Sequence, residues 1–225
     1  MMEKKKRATP WKPGKVISIS LRNGVYVLAQ MVRDPYLVFF NHFNEENNWK
    51  GVTLKEEDIL FCKAVTRQFL RYSPVAIIKE VNPLLDYELP KEWIYSHIGG
   101  HNITISVKGQ ERQVAGFGRR CSLVLADKDS GQPEDNPLMG LFQSYIIPDI
   151  KEQDWDRVGQ AELMSIEVFP TLNERLYLCF LYGKNINPEQ DISLGKPLLD
   201  DYETYIDILT NSPEARHLYL GEYEE

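Results

Sequence analysis

From Lys15 to Leu21 the chain alternates, with Ile17, Ile19 and Leu21 apolar against Ser18 and Ser20. That is the period of a strand with one face on a core. Asn23-Gly24 follows, a tight-turn dipeptide, and the run 25–32 returns as the second strand of a hairpin. Asp34-Pro35 breaks the chain again. The next run, 36–43, is too apolar for a half-exposed strand, and a polar loop carrying Trp49 comes after it. Thr53 and Glu56 have the spacing of a capping box, so a single helical turn is expected before a strand at 59–65. A short helix at 66–72, a strand after Pro74 and a strand around 93–97 follow from the same pattern. Ile103, Ile105 and Val107 alternate ahead of Lys108-Gly109-Gln110, which predicts a second hairpin, and 121–126 reads as a further strand.

The segment 127–137 is polar and acidic and bears Gly and Pro, so it reads as a long loop or a boundary. Beyond it the pattern changes. Leu138, Leu141, Phe142 and Tyr145 have helical spacing, which predicts a helix near 138–146. The apolar run at 174–182 predicts a buried strand. Leu198, Tyr202, Tyr205 and Leu209 share one helical face, which predicts an amphipathic helix near 198–210. The expected fold class is α+β: a β-rich N-terminal twisted sheet or SH3-like partial barrel, then an α+β C-terminal part. The corresponding domains are 1–126, a linker at 127–137, and 138–225, with or without a shared core.

Composition changes this picture little. The 225 residues are 43% hydrophobic and 26% charged, ordinary values for a globular protein. The formal net charge of −7 disfavours nucleic acid as the partner and suits a basic protein. Acidic residues greatly outnumber basic ones from Asn187 onward. Cys62, Cys121 and Cys179 are widely separated and each lies in an apolar setting, which predicts free buried thiols of a reducing compartment. The charged start lacks an export-signal apolar stretch, and no run approaches the roughly 18 apolar residues of a membrane span. A cytoplasmic location without membrane contact is the expectation.

The candidate chemistry is sparse. His97 and His101 are four apart, but Gly99 and Gly100 between them disfavour the helix a zinc pair would need, so turn histidines are expected. No serine-elbow motif is present. Gly116-Phe117-Gly118-Arg119-Arg120 lacks the ending of a nucleotide-binding loop and reads as a turn with two surface cations. The acidic pairs Asp154/Asp156 and Asp200/Asp201 have no apolar pocket beside them in sequence that would tune a general acid. No catalytic residue, cofactor or metal is expected. Candidate partner contacts are the acids and tryptophans of polar loops: Glu45, Glu46, Trp49, Asp154, Trp155, Asp156, Asp200 and Asp201.

Pro13-Gly14 at the entry, Asn23, Gly24 and Tyr26 at the turn, Ala29 and Gln30 in the return strand, and Phe40, Phe61 and Val65 in later strands carry a resemblance. Over roughly its first 100 residues the chain resembles the immunity protein 26 family of bacterial polymorphic toxin systems. Lys15 stands where that pattern has an acid. The resemblance implies a non-catalytic antitoxin that binds a cognate toxin domain, a basic nuclease among the candidates. The same turns and strands occur in SH3-like barrels. An alternative is therefore a nucleic-acid-binding module or ribonuclease using Arg119, Arg120 and the basic N-terminal arm.

Overall fold

The computed structural model describes residues 9–73, 75–97, 102–118, 120–125, 144–210 and 212–220. In chain order the strands are β1 (Val16–Ser20), β2 (Tyr26–Met31), β3 (Tyr36–Asn44), β4 (Ile59–Val65), β5 (Val75–Ile78), β6 (Glu92–His97), β7 (Ile103–Val107), β8 (Gln110–Val114), β9 (Arg120–Leu125), β10 (Ser144–Ile147), β11 (Glu162–Leu163) and β12 (Ile166–Glu167). The helices are α1 (Phe69–Tyr72), α2 (Trp155–Val158), α3 (Thr171–Tyr182), α4 (Pro188–Leu194), α5 (Glu203–Leu209) and α6 (Pro213–Leu220). The fold is α+β.

The chain makes two compact units from discontinuous segments. The first joins Met1–Tyr87 to Ser165–Ile186 and Asp201–Glu225; the second joins Glu88–Met164 to Asn187–Asp200. The expected boundary at 127–137 falls within the span of the second unit and outside the described residues. The division lies elsewhere because β12 and α3 complete the sheet layer begun by the N-terminal strands.

In the first unit a six-stranded sheet has the order β12-β4-β3-β2-β1-β5. Its neighbours are antiparallel except β12, which runs parallel to β4. The predicted hairpin is present: Ser20 pairs with Tyr26, and the turn places Asn23 at φ 59° and Gly24 at φ 73°. Asn and Gly are the residues that tolerate this left-handed region, so the dipeptide fixes the register. Ile17, Ile19 and Leu21 form the expected core face, but Val16 and Ser18 are buried as well. Both faces of β1 are therefore covered. The helical turn before β4 is also present, with a different cap. The Asp58 carboxylate accepts the Lys55 N–H at 3.2 Å, rather than Thr53 and Glu56 forming the box.

The run expected as a strand at 174–182 is helix α3. An unbroken apolar run cannot separate a buried strand from a buried helix. Here α3 packs against β3, the β1–β2 turn and α5, and its residues from Thr171 to Cys179 are buried. The helix ends at Gly183, φ 63°, the left-handed geometry that a glycine accommodates at a helix C-terminus. The amphipathic helix expected near 198–210 is shorter: α5 starts at Glu203 after a 3-10 turn at Asp200–Tyr202, Leu198 lies outside it, and Tyr202 and Tyr205 are each 1% exposed.

The second unit holds a four-stranded sheet of order β10-β9-β6-β11, in which β11 is parallel to β6, and a separate hairpin, β7-β8. That hairpin turns at Lys108-Gly109, as its alternation predicts. The inward face packs Ile94, Cys121, Leu123, Ile150, Val158 and Leu163, with Trp155 and Leu194 against them. Residues 138–143 of the helix expected near 138–146 lie outside the described residues. Residues 144–147 are strand β10, because they pair with β9. The single twisted sheet or partial barrel expected for residues 1–126 is therefore strands of two sheets and a hairpin.

Candidate binding surface and buried charges

The loop after β3 carries the first two predicted contacts. Glu45 and Glu46 are exposed, whereas Trp49 is 1% exposed. Trp49 is thus a root and not a surface anchor: its Nε1–H donates to Asn47 Oδ1 at 2.8 Å. The same oxygen accepts from Ser18 Oγ at 2.6 Å, which ties the loop to β1. A buried tryptophan with its one polar atom satisfied is the arrangement its chemistry favours. The outcome is a loop pinned at its base with two carboxylates at the surface.

The other predicted contacts divide similarly. Asp154 is half-buried and accepts the Lys151 N–H at 2.9 Å, a helix-capping role. Trp155 is half-buried against the core of the second unit, with the Lys196 ammonium 5.6 Å from its ring centre. Asp156 and Asp200 are exposed. Asp201 is exposed and accepts from Tyr182 Oη at 2.7 Å.

Two charged clusters inside the first unit go beyond the sequence-based expectations. In one, Arg22 from the hairpin turn reaches Glu174 of α3 with two bonds of 2.9 and 3.2 Å, and its guanidinium lies 3.7 Å over the Tyr177 ring. Tyr219 of α6 donates to the same carboxylate, and Asn23 donates to Tyr177 Oη at 2.8 Å. Burial pushes the Glu174 carboxyl above its ordinary value, and Arg22 and Tyr219 pull it partly back. In the other, Glu167 of β12 sits between Lys63 at 3.6 Å and Arg175 at 3.5 Å. Lys63 also donates to Ser165 Oγ at 2.9 Å, and Arg175 to the Ile186 carbonyl at 3.0 Å. Lys63, Glu167, Glu174 and Arg175 are all nearly or fully buried. Charges this deep are retained only when paired, because removing one partner strands the other. In sequence, adjacent Glu174 and Arg175 open an apolar run and belong one to each cluster, but their partners are far along the chain, so neither cluster can be read from it.

In the second unit His97 closes β6 rather than lying in a turn, and His101 is outside the described residues. Ser122 Oγ donates to the Pro148 carbonyl at 2.6 Å, so its proton is committed there. The contact between His97 Nε2 and Ser122 Oγ at 2.8 Å then requires the imidazole to donate. Ser122 is fully buried and holds its proton away from the imidazole, which is not the geometry of a nucleophile and its base. Burial pushes the neighbouring Cys121 thiol up to about 11, away from the reactive thiolate. All three cysteines are buried and none forms a disulfide. Among the described residues no three His, Cys, Asp or Glu side chains could together hold a metal ion, and no helix is long and apolar enough to cross a membrane.

A family model described as a domain of unknown function (DUF8309) matches residues 5–113, just under half of the chain. No curated protein and no solved structure matches it.

Proposed function

We propose that the chain is a non-catalytic immunity protein that binds a cognate basic toxin domain and blocks it by direct contact. The observation that carries this reading is the Glu45-Glu46 tip, two exposed carboxylates on a loop whose base is fixed by buried Trp49. A pinned loop loses little freedom on binding, so more of the contact energy is retained as affinity. Acids on such a loop steer a basic partner and accelerate encounter. Asp156, Asp200 and Asp201 add carboxylates at the surface, in keeping with the net charge of −7. The resemblance of the first hundred residues to the immunity protein 26 family supports a toxin as the partner. A non-catalytic role is supported by the buried ionisable groups of the first unit, which are engaged with one another inside the protein.

The test is growth protection. A toxin-domain gene is expected beside this one, and cells expressing it should survive when the chain is co-expressed. The variant Glu45→Lys/Glu46→Lys should fold normally and protect poorly. Cells that remain fully sensitive in the presence of the folded wild-type chain would refute the reading.

A further inference from the structure

The face of the four-stranded sheet opposite the Ile94-Leu123 core is buried at Trp93, Ser122 and Val124 but carries at one end a set of side chains that the proposed toxin binding leaves unused. Tyr95 and His97 lie on β6, Arg120 opens β9 directly opposite His97, and Tyr145 lies on β10. The Tyr95 ring meets the imidazole edge-on at 4.8 Å. The Tyr145 ring is within 12° of parallel to the imidazole at 6.4 Å, and Tyr145 is 38% exposed.

Two groups in this set have a defined chemical state. His97 donates through Nε2 to Ser122, which fixes Nδ1 as the acceptor in the neutral ring. Burial and the Arg120 charge lower the imidazole's proton affinity and so favour that neutral form. Nδ1 makes no hydrogen bond to the described residues. Arg120 is exposed, and its one hydrogen bond among them is a long 3.4 Å bond to the Pro148 carbonyl. The nearby carboxylate of Asp149 is held by Lys151 Nζ at 2.8 Å and is also attracted by Arg120, although no direct ion pair joins it to the guanidinium among the described residues. The face therefore offers a ring surface, a fixed acceptor and an exposed cation without a direct ion pair side by side.

We propose that this face binds a nucleobase together with its phosphate: the base lies against Tyr145 and His97, an N–H of the base donates to His97 Nδ1, and Arg120 takes the phosphate. Aromatic side chains on a sheet face accept bases by stacking, and a guanidinium matches a phosphate in geometry and charge. The site does not depend on the toxin-binding reading. The same chemistry is present in a free nucleotide and in a single strand.

The test uses the full chain and follows backbone amides of β6, β9 and β10 and the His97 imidazole by NMR. The probes are adenosine and uridine 5′-monophosphate, a ten-nucleotide oligouridylate and inorganic phosphate. Either monophosphate should shift these signals at concentrations up to about 10 mM, the weak range expected for one base and one phosphate. Arg120→Ala and Tyr145→Ala, both at exposed positions, should weaken binding about tenfold each without altering the fold. Tighter binding of the oligonucleotide by about tenfold or more would assign the site to a single strand, and equal binding to a free nucleotide. No shift with any nucleotide, or equal shifts with inorganic phosphate alone, would overturn the proposal.

Discussion

Glu174 shows how one side chain can join three parts of the first unit. It is fully buried on α3 and receives Arg22 from the hairpin turn and Tyr219 from α6. Burial raises its proton affinity in the folded state above the ordinary carboxylate value of 4.5. A raised carboxyl stabilises the fold fully below the unfolded value and loses that contribution as pH rises through the folded one. The stability of wild type relative to Glu174→Gln should therefore fall as pH rises from 4.5, and level off above the folded value. Urea melts of the two proteins across this range check it. Glu214 and Asp149, whose carboxyls are held below their usual values, titrate with the opposite sign in both proteins and cancel in the difference. Trp49 teaches a related lesson. Its loop is polar in sequence, which points to a surface anchor, yet Asn47 and Ser18 give its indole a buried seat. A single tryptophan among polar residues does not reveal whether a partner or the protein's own core receives it.

At the scale of elements, strands and turns are the most legible features. The Asn23-Gly24 and Lys108-Gly109 turns fix two hairpins, and β4 spans the residues its pattern predicts. These succeed because period and turn chemistry are local properties. Helix α3 escapes the pattern because its apolar residues go all the way round, which removes the periodicity that separates helix from strand. Its ends do carry information: Pro170 precedes it and Gly183 follows it. Gly183 holds a left-handed conformation with nothing within 4 Å of the place a β-carbon would take, so a substitution there meets strain and no clash. Gly183→Ala should destabilise the first unit by about 1 kcal/mol, read as a lower urea midpoint with unchanged slope. The buried charge clusters are not legible in the sequence, because Arg22 and Glu174, or Lys63 and Glu167, are brought together only by the chain's return.

At the scale of the whole molecule, the matched family segment and the folding units have different borders. The match covers residues 5–113, whereas the first unit also needs Ser165–Ile186 and Asp201–Glu225. β12 closes one edge of the sheet on β4, and α3 supplies the partners of Arg22. A fragment of residues 1–113 should therefore lack a cooperative urea transition, since it exposes the face α3 covers and leaves Lys63 without Glu167. A sharp two-state transition in that fragment would show that its strands form a core alone. The proposed toxin binding depends on a folded surface and not on a motif. Its most direct test is calorimetric titration of the purified proposed cognate toxin domain with the full chain. A saturable one-to-one complex, weakened by Glu45→Lys/Glu46→Lys and by added salt, is the expected result. Absence of binding between the two folded proteins at low salt would contradict it.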